Sequence, residues 1–309
     1  MLPLWTSPPP LAGPQRKLNT GSSPAALAKL VVMPELPEVE TVARGLSRGI
    51  RGDAIASVWI GSKPEPLKSP ASEIASTLEG AGILGARRVG KHVVIDLDIA
   101  LKKRGSRPTR ATAQFVVHLG MTGRLLIASA GAEIAPHTHL IARLESGREL
   151  RFVDPRRFGR LSVATDEFQA VGAEPLDVGF ELFAGLFRKR NTPIKSALLN
   201  QKLLSGIGNI YADESLFRAG IRPLRRAGSL TLAQLRRLYD SVQEVLKQAI
   251  AAGGSSVSDY VDASGNRGFF QFEHRVYGHE GDPCTACATP IKRIVIAGRS
   301  AHYCPKCQK

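Results

Sequence analysis

The feature that most limits how this chain can fold is the spacing of its cysteines. All four lie in the last 26 of 309 residues, as Cys284-x2-Cys287 and Cys304-x2-Cys307 with 16 residues between the pairs. Each pair can chelate one edge of a tetrahedral metal ion, and the intervening residues 291–302 suit a β-hairpin that closes the loop. Four thiolates leave no open position for water, so the expectation is one structural Zn2+ and not a catalytic one. Confinement of every cysteine to one tail argues against a disulfide framework and for a reducing compartment. The hairpin carries Lys292, Arg293 and Arg299, cations suited to phosphate.

Charge points the same way. Forty-two Lys and Arg against 27 Asp and Glu give a net charge of +15. Such an excess favours a polyanionic partner, because each phosphate contact releases condensed counterions. A generally basic surface without a specific ligand is the plainer alternative. No run of 18 apolar residues is present, so no membrane-spanning helix is expected.

Organisation changes along the chain. Residues 1–32 are rich in Pro, Ser and Ala, contain no acid and lack a secretory signal pattern, and read as a disordered leader or a mis-assigned start. From Met33 the stretch Pro34-Glu-Leu-Pro-Glu-Val-Glu-Thr runs into Val42, Leu46 and Ile50, as an amphipathic helix with acids at its front. Short β-branched segments follow at 55–60, 82–89, 92–98, 114–118, 124–128, 139–144 and 149–153. They predict a β-sandwich or barrel, interrupted by a basic loop over 101–110. Beyond about residue 165 the period lengthens to that of helices, expected over 192–203, 209–219 and 231–251 with Ser229 or Thr231 as cap. A Gly/Ser-rich stretch at 253–268 reads as flexible. The expected architecture is α+β and multi-domain: a β-sandwich with flanking helices over 33–165, a helical domain over 166–270, and the cysteine module over 271–309.

Five further features could carry chemistry. Lys202-Leu-Leu-Ser-Gly-Ile-Gly-Asn209-Ile-Tyr-Ala joins two predicted helices through a Gly-x-Gly turn whose free N–H groups would suit a phosphate. A plain helical hairpin is the alternative. Asp154-Pro-Arg156-Arg157-Phe158-Gly159 offers arginines beside an aromatic that could enter a base stack, or a surface loop with a buried Phe. His118-Leu-Gly-Met121-Thr-Gly123 is a similar turn, whose Met could equally be core packing. His137 and His139 alternate on the approach to a strand, as metal ligands, phosphate contacts or solvated side chains. Pro34-Glu35 at a helix start and Lys91 before a strand are ordinary by composition alone, since a proline at the first helical position loses nothing.

Taken in order, these motifs resemble the formamidopyrimidine-DNA glycosylase family over residues 33–309. The Pro-Glu-Leu-Pro opening is unlike the Pro-Glu-Gly-Pro usual in the related endonuclease VIII branch. The resemblance implies a bifunctional DNA glycosylase and AP lyase of base excision repair, acting on oxidised purines in damaged double-stranded DNA. It implies a helix-two-turn-helix domain, a four-cysteine zinc finger, no organic cofactor, a monomer, and a cytoplasmic location at the bacterial nucleoid, with organelle import a lesser alternative. Pro34 would be the nucleophile, Glu35 the acid–base catalyst, Lys91 a general acid, and Arg299 a phosphate holder assisting the second elimination. Met121, Arg156 and Phe158 would fill the gap left by the extruded nucleotide, with Arg156 reading the opposite cytosine. His137, Arg190, Lys195 and Asn209 match phosphate-binding positions, although Arg190-Asn191 stands where the family has successive lysines. Residues 254–271 would be the loop that closes over the extruded base. A non-catalytic zinc-dependent DNA-binding protein and a zinc-ribbon adaptor are the readings from other classes.

That chemistry constrains the start of the chain. A proline inside a continuous chain is a tertiary amide with a delocalised lone pair, and cannot form an iminium. The expectation is therefore translation from Met33 followed by its removal, with cleavage of a genuine leader as the rival. Amino-terminal sequencing of the native protein should read Pro-Glu-Leu-Pro. An intact chain beginning at Met1 that still forms a reducible adduct with DNA would rule Pro34 out.

Overall fold

The computed structural model describes residues 33–101 and 109–309. The expected leader over 1–32 and most of the expected basic loop lie outside the described residues. In chain order the first part comprises α1 (Leu36–Ile50), β1 (Ile55–Ile60), α2 (Ala71–Leu78), β2 (Gly82–Val89), β3 (His92–Leu101), β4 (Thr109–His118), β5 (Arg124–Ser129), β6 (Thr138–Leu144), β7 (Arg148–Val153) and β8 (Arg160–Ala164). The strands form two four-stranded sheets, β1-β6-β7-β5 and β2-β3-β4-β8, with antiparallel pairing throughout.

One core joins both sheets. Val93, Ile95 and Leu97 alternate inward from β3, as Leu140, Ala142 and Leu144 do from β6, and all are buried against one another's sheet. This is the two-residue period of a strand with one face in the core. Onto the sandwich packs α1, whose Val39, Val42, Leu46 and Ile50 recur at helical spacing and are at most 1% exposed. Full burial of each such side chain is worth about 1.5–3 kcal/mol, so the stripe alone fixes the face that α1 presents. The helix also touches α6, so its amino terminus is held where the sandwich meets the helical part.

That part contains α3 (Phe180–Phe187), α4 (Ile194–Leu198), α5 (Asn209–Ala219) and α6 (Leu232–Ala251). Thr231 caps α6 in a reciprocal box, its Oγ1 accepting from Gln234 N at 3.2 Å while Gln234 Oε1 accepts from Thr231 N at 3.0 Å. The helix expected over 192–203 stops at Leu198. Asn200 ends it: its side chain takes Lys202 N at 3.0 Å and its carbonyl takes Leu203 N and Leu204 N, a local turn that competes with the helical ladder. The cysteine module is a hairpin of β9 (Lys292–Ile296) and β10 (Arg299–Tyr303). Its turn places Ala297 and Gly298 at φ of 48° and 77°, the pair of left-handed residues that a tight hairpin requires.

Two features differ from sequence-based expectation. The helices α2 and α3 and the strand β8 are additions to it, being too short to establish a period. The Gly/Ser-rich stretch, expected to be flexible, is hydrogen-bonded and packed. Ser255, Ser256, Tyr260 and Ala263 are buried, Ala263 O accepts from Ile127 N of β5 at 2.9 Å, and Tyr260 and Ala263 join the sandwich core.

Candidate active site

The site is built at the start of α1. Pro34 is buried and Glu35 precedes the first helical turn, only 3% exposed. The Glu35 side chain crosses to the amino terminus of α5, where its carboxylate accepts Ile210 N at 3.0 Å and Tyr211 N at 3.4 Å. Both glycines of Gly206-Ile-Gly208 follow from that approach. A Cβ on Gly208 would lie 2.2 Å from the Glu35 carboxyl carbon. Gly206 has φ +104°, and its carbonyl accepts Leu36 N at 3.0 Å. The first turn of α5, which follows the Gly-x-Gly turn, therefore presents its N–H groups to Glu35. The expected phosphate site at this helix terminus is corrected: a carboxylate from the chain itself occupies those donors.

Opposing forces set the protonation of this carboxyl. Burial raises its pKa above the usual value, while the Lys91 charge and the N–H groups of Ile210, Tyr211 and Gly208 pull it back. Lys91 sits in the tight turn between β2 and β3, where Gly90 adopts φ +57° and donates its N–H to Glu174 at 2.6 Å. The turn is braced by Arg88, nearly buried between Glu40 (2.9 Å) and Glu174 (2.7 Å). Burial pushes the Lys91 amine down; Glu35 acts against this and the Arg299 guanidinium adds to it. Lys91 thus comes within electrostatic reach of both Glu35 and Arg299, from separate parts of the chain.

Sequence reasoning missed a second buried acid, Glu38. Its carboxylate accepts the Glu35 backbone N–H at 2.9 Å, Ser255 N at 2.7 Å and the Tyr211 hydroxyl. Burial, and then the Glu35 charge, push its pKa up to about 7. Glu38 heads the apolar stripe of Val42 and Leu46, and a carboxylate placed there was the available signal.

A second group of predicted residues lies on two loops packed backbone against backbone. Gly120 at φ +67° faces Phe158 and Gly159 so closely that a Cβ would meet their main chain at 2.5–2.8 Å. Asp154, fully buried, ties the loops by accepting Gly159 N at 2.7 Å and Thr122 Oγ1 at 2.6 Å. Met121, Arg156 and Phe158 are thereby brought together. Phe158 is 45% exposed, so it is no core residue, and the Arg156 guanidinium lies 5.0 Å from its ring. His137 is exposed beside them, its carbonyl accepting Asp154 N at 3.0 Å. His139 is buried with Nε2 on the Asp154 carbonyl at 3.0 Å, and neither histidine belongs to a metal-ligand cluster among the described residues.

Of the remaining predicted contacts, Arg190 is exposed with Nε on the Leu186 carbonyl at 2.6 Å. Asn209, the first residue of α5, donates to Ser300 Oγ at 3.1 Å. Lys195 is a correction. It is 0% exposed and pairs with Asp213 at 2.6 Å, so its ammonium is engaged inside the protein and cannot hold a phosphate.

These are the parts of a nucleic-acid processing site, and three family models match them in order. The N-terminal domain of formamidopyrimidine-DNA glycosylase matches residues 33–161, its H2TH domain matches 171–261, and the zinc finger found in FPG and IleRS matches 281–309. Formamidopyrimidine-DNA glycosylases of Solibacter usitatus and Gluconobacter oxydans are each 43% identical, over 90% of this chain and 100% of theirs. The chain belongs to the formamidopyrimidine-DNA glycosylase family. Among solved structures, a Lactococcus lactis FPG mutant in complex with Fapy-dG containing DNA aligns with a TM-score of 0.79 at 34% identity, covering 89% of this chain and 100% of that one. The MutM (FPG) protein of Thermus thermophilus aligns at 0.75 and 40% identity, covering 89% and 98%.

The family's zinc finger has its donor set here. The four Sγ atoms lie within 4.8 Å of one another, with Cys284–Cys307 at 3.9 Å and Cys287–Cys304 at 3.4 Å. Tetrahedral coordination at about 2.3 Å per thiolate requires edges of roughly 3.8 Å, so the residues fit one Zn2+. No disulfide links them. Cys284 and Cys304 pack with Val276, Ile291 and the partly buried Phe217 of α5, so the metal site is continuous with the helical part.

Two outcomes follow. Gly208→Ala should reduce turnover at least about tenfold by displacing Glu35, with Tm lowered by a few degrees; unchanged turnover would mean the carboxylate has no role. Cys287→Ser should abolish stoichiometric zinc and weaken DNA binding, since one of four ligands is lost. Retention of one zinc per chain in that variant would overturn the ligand assignment.

Proposed function

We propose that this chain is a bifunctional DNA glycosylase and AP lyase of base excision repair, excising oxidised purines such as 8-oxoguanine and formamidopyrimidines from duplex DNA. The observation that carries this reading is the buried Glu35 carboxyl beside Pro34, within electrostatic reach of the Lys91 amine. A binding protein has no use for a desolvated acid next to a desolvated amine, whereas such pairs serve proton transfer. The modules act as a catalytic sandwich over 33–165, a helix-two-turn-helix domain over 166–270 and a zinc finger over 271–309.

In the proposed sequence Pro34, as residue one, attacks C1′ of the damaged nucleotide through its secondary amine. The N–C1′ bond forms, and the base departs with the electron pair of its glycosidic bond and takes up a proton. The amine then loses its proton and the sugar ring opens to an iminium, with Glu35 supplying and removing protons. The iminium acidifies C2′–H; loss of that proton expels the 3′ phosphate, and a second elimination expels the 5′ phosphate. Lys91 protonates a departing oxygen and Arg299 holds the phosphate. Opposing influences act on Glu35: burial raises its pKa and favours the protonated acid, while Lys91 and the α5 N–H groups stabilise the anion. A Zn2+ held by Cys284, Cys287, Cys304 and Cys307 would stay outside the chemistry and brace the hairpin from which Arg299 projects.

Binding follows the same geography. Arg156 and Phe158, exposed on one loop with Met121 beside them, are placed to occupy a stack from which a nucleotide has left. His137, Arg190 and Asn209 contact phosphates, and residues 254–271 cover the extruded base. A monomer at the bacterial nucleoid fits a chain whose substrate is the duplex itself. Among the described residues no helix is long and apolar enough to cross a membrane.

Borohydride trapping tests the mechanism. Protein beginning at Pro34, mixed with duplex containing 8-oxoguanine opposite cytosine, should yield a covalent adduct whose peptide map places the sugar on Pro34. Absence of an adduct, or one mapped to a lysine, would contradict the proposal.

A further inference from the structure

Lys195 and Asp213 form an ion pair that is 0% exposed on both sides, at 2.6 Å, between α4 and α5. A buried pair of this kind is weak evidence for stability, because an apolar pair of similar volume packs as well without desolvating two charges. What distinguishes this pair is where its remaining bonds go. Lys195 Nζ also donates to the Ser300 carbonyl. Asp213 Oδ2 accepts the His302 backbone N–H at 2.9 Å and meets His302 Nδ1 at 3.2 Å. Asn209 adds a third link, from Nδ2 to Ser300 Oγ at 3.1 Å. Every one of these bonds ends on β10, within the first four residues after the hairpin turn.

Arg299 is the first residue of β10 and is exposed, with no ion pair among the described residues. Its position relative to Glu35 and Lys91 is therefore set by whatever fixes Ser300 and His302. Zinc fixes the other end of the hairpin, through Cys304 and Cys307. We propose that Lys195 and Asp213 are positioning residues for Arg299: the buried pair locks the register of β10 against α5, and so governs the second elimination without touching DNA. The inference rests on the glycosylase and lyase reading above. It replaces the phosphate contact expected for Lys195, since a side chain with no exposed surface cannot reach one.

The consequence is a partition effect. Base removal and formation of the Pro34 adduct need Glu35, which α5 holds through Ile210 and Tyr211, not through Asp213. The second C–O cleavage needs Arg299 in place. The test uses zinc-loaded protein and duplex with a single abasic site, with β- and δ-elimination ends resolved on a denaturing gel. The variants are Asp213→Asn, which is isosteric, and the apolar double variant Lys195→Met with Asp213→Leu, which leaves no unpaired buried charge. Both should keep one zinc per chain and a borohydride-trapping rate within about twofold of wild type, while the ratio of δ to β ends falls about tenfold. An unchanged ratio in either folded, zinc-loaded variant would overturn the proposal. Trapping and δ cleavage falling in parallel would also overturn it, as a general structural role. Should one variant fail to fold, the other answers alone. Failure of wild type to trap would instead indict the proposed function, so the two failures are distinguishable.

Discussion

The Glu35 carboxylate, seated on the amino terminus of α5, is the interaction on which the rest of the arrangement depends. It connects an acid at the start of α1, in the sandwich, to a helix that begins some 175 residues later. The α5 donors stabilise the anion through hydrogen bonds and through the helix dipole, and burial destabilises it. Both glycines of the 206–208 turn answer to this contact, one through a close approach to the carboxyl group and the other through its positive φ and its bond to Leu36. The same α5 carries Asp213 and Glu214, which bind the zinc hairpin and the backbone N–H groups of Arg275, Val276 and Tyr277. One helix therefore positions Glu35 at its first turn and the cationic hairpin at its next.

This arrangement explains why a small metal module stands in an enzyme whose chemistry does not use the metal. A hairpin of two five-residue strands has too little core to hold a register by itself. Cysteine ligands fix one end and Asp213, Lys195 and Asn209 fix the other. Arg299 stands one residue from Ser300, at the turn end of β10, held by these bonds on an otherwise marginal element.

Much of this was legible in the sequence, for identifiable reasons. Apart from β4 and β8, the sandwich strands, α5 and α6 were read within three residues of their observed bounds, because alternation and helical stripes persist over several residues. By contrast, β4 begins at Thr109, five residues before the expected 114, and β8 was not expected. The cysteine spacing specified the zinc module because thiolate geometry leaves few alternatives. The site residues Pro34, Glu35, Lys91 and Arg299 came from resemblance, since proline at a helix start or lysine in a turn is locally ordinary. What sequence could not supply was where buried charges find their partners. Lys195 was expected to contact a phosphate because it matches a family phosphate-binding position, and only the tertiary approach of Asp213 and Ser300 removes it from solvent. The N–H groups of Ile210 and Tyr211, just after the Gly-Ile-Gly turn, read as a phosphate site because their acceptor, Glu35, lies far away in sequence. The stretch over 253–268 read as flexible by composition, yet Glu38 and Ile127 supply hydrogen-bond partners that composition does not reveal.

The most direct measurement is the protonation of Glu35 itself. Carbon-13 NMR of protein labelled at glutamate carboxyls, assigned with Glu35→Gln, gives the titration of that single group in the free enzyme. The expected pKa lies above the ordinary 4.5 of a glutamate, because desolvation outweighs Lys91 and the α5 donors. A Glu35 that titrates at or below the ordinary value would contradict this, showing that Lys91 and the α5 donors outweigh burial and that the carboxylate is a plain helix-terminus anchor.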